Sequence, residues 1–184
     1  MKIVSAVKHS LVGTVVTIGL LSAHTAAGFE VTTVKKGNFD SDLIISADKL
    51  LIEAEIASDL IAAGGEIEVN SNIKGDVLVV GGRIDVTKTI QGGLMAMAGN
   101  LSMEADVLDA VSIFAGKAKV SGDIKGDALA IGGKLDFTGD VDGDLRAAAG
   151  KLTLHQRING NVLASAGVLT IGDSATIPGK TTLG

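Results

Sequence analysis

The chain has no cysteine, tryptophan or tyrosine, and a single proline, Pro178. Without cysteine there is neither a disulfide framework nor a thiolate metal site, and the redox state of the compartment has nothing to act on. Only Phe29, Phe39, Phe114 and Phe137 carry rings, which argues against a globular core organised around large aromatics. Basic charge is also short: 16 Lys and Arg stand against 21 Asp and Glu, a net charge of -5. That balance points away from nucleic acid and anionic membrane surfaces as partners. What is abundant is aliphatic side chains and glycine, 25 glycines in 184 residues. With so little proline, this composition implies many tight corners of one kind and not a disordered linker.

The first 27 residues stand apart. Lys2 and Lys8 precede the uncharged apolar stretch "LVGTVVTIGLL" (11–21), which is followed by the small residues of "SAHTAAG". This is the order of a secretory signal peptide, expected to be cut after Ala27. The apolar stretch is shorter than the roughly 18 residues of a spanning helix. An uncleaved, membrane-anchoring N-terminus is the alternative, and its charge would still put the remainder outside the cytoplasm. The expected location is therefore the periplasm or cell surface of a bacterium. Loss of Lys2 and Lys8 from the 16 basic residues leaves 14 against 21 acidic ones, a net charge of -7. Residues 28–40 read as a short lead-in and 41–184 as one repeat domain.

The repeat is announced by glycine. Gly65, Gly82, Gly99, Gly116, Gly133, Gly150 and Gly167 each follow the last by 17 residues, and Gly184 falls in the same phase. Each of the seven is preceded by Gly or Ala, as a corner without room for a side chain requires. A 17-residue period is too short for a helix pair and lacks the leucine-rich pattern, which leaves one coil of a β-solenoid as the unit. Within the coil apolar positions alternate. Ile67, Ile84, Leu101, Ala118, Leu135, Leu152 and Leu169 lie two residues after the glycine. Val69, Val86, Met103, Val120, Phe137, Leu154 and Ile171 lie two further on. A lone branched aliphatic then recurs at Ile56, Ile73, Ile90, Val107, Ile124, Val141 and Ile158. The prediction is an all-β, single-stranded parallel β-helix of triangular coils, three short strands each. About eight coils spaced about 4.8 Å apart make a rod on the order of 40 Å long. Right-handed crossovers dominate parallel sheets, and the 18-residue rhythm of left-handed hexapeptide solenoids is missing, so the right-handed form is expected. The narrow interior suits aliphatics, each contributing about 1.5–3 kcal/mol when buried, before conformational entropy is charged against it.

Coils such as "VSGDIKGDALAIGGKLDF" (120–137) and "FTGDVDGDLRAAAGKLTL" (137–154) resemble the bactofilins, bacterial polymer-forming cytoskeletal proteins with a right-handed β-helix core. The resemblance covers about residues 43–177. It rests on an aliphatic-x-Gly-Asp corner followed by an apolar run and a Gly-Gly or Ala-Gly pair. It implies filaments formed without nucleotide, by end-to-end stacking of solenoids, and a role in organising the cell envelope. The typical family member is cytoplasmic, whereas this chain carries an export segment.

On the strand before the glycine corner both faces are apolar. Val77, Leu94, Val111, Leu145 and Val162 are expected inside, with Val79, Ala96, Ala130 and Ala147. Ile61, Leu78, Met95, Leu129 and Leu163 then point outward, as do Val80, Met97, Phe114 and Ile131. Arg146 shares the outward column, where an unpaired arginine belongs. An outward apolar wall marks an interface, either between rods or with a partner; the alternative is that the N-terminal segment folds over it. At the C-terminus "IGDSATIPG" (171–179) arrives two residues late and contains Pro178, which would blunt the last strand edge or vary an interface.

Chemical groups are sparse. His9 and His24 lie in the export segment, and His155 alone sits on an outward turn, without the hexapeptide rhythm of solenoid acyltransferases. Asp106, Asp123 and Asp140 align in three coils, but Thr89 and Arg157 flank them. They read as turn residues rather than calcium ligands, as do Asp59, Asp76, Asp127 and Asp144. Lys117, Lys134 and Lys151 form a solvated ladder. No cofactor, metal or catalytic residue is expected. The leading expectation is a self-assembling structural protein of the envelope, whose partner is another copy of itself or an envelope component. A monomeric exported binding module for an envelope glycan or protein is the alternative. A polysaccharide-active enzyme ranks last, since no long inserted loops are present to build its groove.

Overall fold

The computed structural model describes residues 31–34 and 38–184; the expected export segment, 1–27, lies outside them. The elements are β1 (Val31–Val34), β2 (Asn38–Phe39), β3 (Leu43–Ile52), β4 (Glu55–Ile56), β5 (Leu60–Val69), β6 (Val77–Val86), β7 (Leu94–Met103), β8 (Val111–Val120), β9 (Ala128–Phe137), β10 (Leu145–Leu154), β11 (Val162–Ile171) and β12 (Thr181–Leu183). They form a parallel β-solenoid of about nine turns. One ten-stranded sheet runs β1-β3-β5-β6-β7-β8-β9-β10-β11-β12, and every pair in it is parallel.

The coil has three sides, but they are not three separate strands. The first two belong to a single ten-residue strand that turns at the glycine corner. In β6, Val77 and Val79 are buried before the corner and Ile84 and Val86 after it. The step from 79 to 84 is odd, so the strand changes face as it rounds the corner. Ladder pairing skips the corner glycine itself: Gly81 pairs with Ala98 and Arg83 with Asn100. The third side is reduced to a single bridging residue per coil, in the column Ile56, Ile73, Ile90, Val107, Ile124, Val141 and Ile158. These seven are 3% exposed or less. A side one residue long needs only one inward side chain, which is why that column is so uniform in shape.

The core is a stack of like residues, continuous from Leu50 to Ala164. Every expected inward position on the strand before the corner is buried, from Val77 to Val162 and from Val79 to Ala147. With small residues at Ala96, Ala130 and Ala147, the column is filled almost entirely by aliphatics; among the described residues Phe137 is the one aromatic buried in it.

Both ends depart from the expected plan. Part of the lead-in joins the solenoid: β1 pairs with Lys49–Ile52 and β2 with β4, so the ladder already includes Val31–Val34 and Asn38–Phe39, ahead of residue 41. At the other end β12 pairs with Val162–Ala164 at an offset of 19 residues, not 17. The two-residue delay of "IGDSATIPG" is therefore absorbed in the last turn, and Gly184 is not in register with the corner glycines despite its phase. Leu169 and Ile171, expected inside, are only partly buried and 46% exposed respectively. The alternation that predicts their direction is intact, but no described strand lies over that half of β11 to cover them.

Candidate assembly surfaces

The corner glycines are fixed by close approach of successive coils. A Cβ on Gly82, Gly99, Gly116, Gly133, Gly150 or Gly167 would lie 2.8–3.0 Å from the carbonyl oxygen of the corner glycine one coil below, and one on Gly65 would lie 2.9 Å from that of Asp48. These seven positions keep the coils in contact and present no side chain to a partner.

The outward side of the strand before the corner carries the apolar wall. Register stacks Leu78 on Met95 and Val80 on Met97, Met97 on Phe114, and Phe114 on Ile131. Val80, Met97 and Ile131 are 42–44% exposed, while Leu78 and Phe114 are half-buried by their neighbours. Leu129 and Met95 complete the patch, flanking the polar Ser112. Leu163 belongs to the same column but is separated from Leu129 by Arg146. The wall continues below Leu78 through Ile61 and Ile44; above, Arg146 reaches Asp144 at 3.6 Å and Asp127 at 4.0 Å and bounds it with charge.

Beside the wall runs an edge of carboxylates. Asp59 accepts the backbone N–H of Asp76 (2.8 Å), Asp76 that of Gly93 (2.7 Å), Asp127 that of Asp144 and Asp144 that of Asn161 (both 2.8 Å). A second column does the same: Asp106 accepts from Asp123, Asp123 from Asp140 and Asp140 from Arg157. The amides belong to the next coil, 17 residues on, so these carboxylates staple coil to coil instead of closing local turns. At the N-terminal end Asp42 accepts from the Ser58 hydroxyl and the Asp59 amide; the Ser58 bond, then the amide, holds its carboxyl below the ordinary value. Lys49 is bridged to Glu66 and Glu68, and Lys125 to Asp142 and Asp123. Both ammonium groups are pushed up, chiefly by hydrogen bonds to Glu66 and Asp142.

The first staple column breaks at Gly93, which has no carboxylate to offer; Ala110 is capped instead by its own neighbour, Asp109. A shallow groove of about 430 Å³ lies there, floored by Ile61, Leu78 and Met95 and edged by Asp59, Asp76 and Asp109. His155 is partly exposed and faces one carboxylate, Asp136, at 3.7 Å, with no nucleophile in the pair. Lys117, Lys134 and Lys151 stack directly on one another.

Sequence reasoning points the apolar column outward, as found, but reads the aspartates as local turn residues, whereas they bond amides of the next coil. It misses the shape of the ends. On the side after the corner, β1 lies below β3, while residues 43–47 before the corner have no described strand beneath them. At the other end β12 covers the first half of β11, and its second half, with Val168 and Ile171 exposed, is bare among the described residues. The two-residue delay in the last turn is the only sequence signal of this step. No protein-family model, curated protein or solved structure matches the chain.

Proposed function

We propose that this chain is a non-enzymatic structural protein of the bacterial cell envelope that self-assembles through its solenoid ends and its apolar side wall, as bactofilins polymerise. The observation that carries the reading is the pair of half-strands that are bare among the described residues: each such end offers backbone N–H and C=O groups without a described partner, beside an apolar column. Such an edge is a template for another strand unless something blunts it. Pro178 does not blunt it, because it lies in the turn before β12 and not on the bare half of β11. The wall adds an apolar patch of the kind that marks association. Neither surface needs a nucleotide, cofactor or nucleic acid. Export places the assembly in the periplasm or at the cell surface.

The groove at Gly93 favours a second reading, an exported monomeric binding module whose ligand would touch Ile61, Leu78 and Met95 and meet the acidic edge. Electron microscopy of protein produced from the whole sequence, over a range of concentration and salt, separates the two. Filaments or sheets about one solenoid wide are expected, favoured by salt because it screens the repulsion between acidic rods. Uniform short rods under all conditions would discard assembly and leave the binding module.

A further inference from the structure

The 17-residue repeat lets one part of the molecule serve as a control for another. Arg146 lies two residues after Asp144 on the outward column, and its guanidinium spans Oδ2 of Asp144 (3.6 Å) and Oδ2 of Asp127 (4.0 Å). The Oδ1 atoms of the same two carboxylates accept the backbone amides of Asn161 and Asp144. Each aspartate thus uses one oxygen as a staple and turns the other to the cation. Four layers down, from β10 to β6, the carboxylates are arranged in the same way. Asp59 Oδ1 accepts the amide of Asp76, and Asp76 Oδ1 that of Gly93. The position equivalent to Arg146, two residues after Asp76, is Leu78. Among the described residues no Lys or Arg lies within ion-pair reach of Asp59, Asp76 or Asp109. In place of a cation there is the groove of about 430 Å³ floored by Ile61, Leu78 and Met95. Beside Arg146 the corresponding trough is only about 210 Å³, and Lys180 lines it as well.

We infer that this groove docks an extended segment of another protein that carries an arginine beside apolar side chains. Its guanidinium bridges Asp59 and Asp76 as Arg146 bridges Asp127 and Asp144, and its apolar side chains lie on Ile61, Leu78 and Met95. Two carboxylates stacked one layer apart, each with an oxygen not used by a staple, suit the planar fork of a guanidinium better than the point charge of an ammonium. The aliphatic floor gives the arginine stem and its neighbours a surface to cover. Charge excludes the opposite kind of partner, since an anionic segment would meet three carboxylates along the rim. A second copy of this chain fits poorly, because the arginine on its own outward column, Arg146, is already held by its own aspartates. The cation therefore comes from a different chain. This inference rests on the binding-module reading of the groove and specifies the chemistry of what enters it.

The test is equilibrium dialysis of protein produced from the whole sequence against the peptide acetyl-arginyl-seryl-leucyl-seryl-leucinamide, whose arginine and two leucines share one face when extended. Saturable uptake of about one peptide per chain is expected at low salt, weakening as salt rises. Replacing the peptide's arginine by citrulline, which keeps the shape and removes the charge, should weaken binding about tenfold or more. Asp59→Asn combined with Asp76→Asn should do the same without unstapling the coils, because an asparagine oxygen serves equally: Asn161 Oδ1 accepts the amide of Lys180 at 3.0 Å. Leu78→Arg supplies the cation from within the chain and should block uptake. Arg146→Leu should create a second groove of the same kind, four layers or about 19 Å away. It should raise uptake to about two peptides per chain, as independent sites would. All these side chains face outward, so each variant should keep the circular dichroism spectrum of the parent. Equal binding of the citrulline peptide would leave the groove a binding site and overturn its preference for a cation. Undiminished uptake by the Asn or Leu78→Arg variants would place the peptide elsewhere, and no gain from Arg146→Leu would deny that the two sites are equivalent; either overturns the inference. Uptake per chain that falls as protein concentration rises would show a second copy covering the groove and would overturn the assignment to another protein. No uptake at any concentration would overturn the inference together with the binding-module reading.

Discussion

Gly133 sits so close to the coil below that a Cβ would lie 2.8 Å from the carbonyl oxygen of Gly116. Backbone cannot yield as a flexible side chain does, so Gly133→Val forces two coils apart. The expected loss is about 1–3 kcal/mol, in the range of overpacked interiors, read as a lower thermal midpoint by circular dichroism. Substitution of the exposed neighbour Lys134 by Ala should stay within about 0.5 kcal/mol. The glycine column was legible because a side chain is excluded at the same place in every coil, and exclusion leaves the same letter each time. The aspartates were legible only by class. Their spacing marks them as turn residues, but a turn amide two residues away and one a coil away look alike along a single chain. Only stacking decides for the latter.

At the scale of the strand, alternation fixes direction and register fixes neighbours. It is direction that the sequence discloses well: Arg146 points outward, with Leu129 and Leu163 on either side of it. Met97 and Ile131 both lie on the wall without touching the core column, so Met97→Lys combined with Ile131→Lys should abolish side-by-side association. The rod itself should remain folded, with an unchanged circular dichroism spectrum and a thermal midpoint within a few degrees of the parent. Lateral sheets persisting in the double variant would show that the wall is not the lateral interface. Burial, unlike direction, is not a property of the strand alone. Ile171 has the same inward phase as Val69 or Phe137, yet it is exposed because burial also requires a layer above. No pattern within β11 carries that information; it lies in where the following turn sends the chain.

For the whole molecule, the period was readable from the glycine phase; the ends were not, since β1 lacks the corner glycine and the last turn is two residues long of the rhythm, so about eight coils were expected where about nine turns are found. The period makes a sharp prediction. Deleting residues 94–110 removes one 17-residue coil and brings Val111 into the place of Leu94 over Val77; the protein should fold to a rod one layer shorter. Deleting 94–109, one residue fewer, reverses the inward and outward faces of everything that follows. It should yield protein that is largely unfolded or insoluble, as judged by circular dichroism and gel filtration. Equal behaviour of the two deletions would deny that the coil is the structural unit. Over the described residues the chain also winds around the axis and does not run along it. Any two layers are therefore held together chiefly by backbone hydrogen bonds, staples such as Asp76 to Gly93, and the stacked interior. A rod so built resists compression and bending, while a pull on its two ends finds no covalent strand to carry the load directly and peels turns away one after another. Anchored at both ends to a stretching envelope, it would yield stepwise and rewind when slackened, each turn being its neighbour's mould.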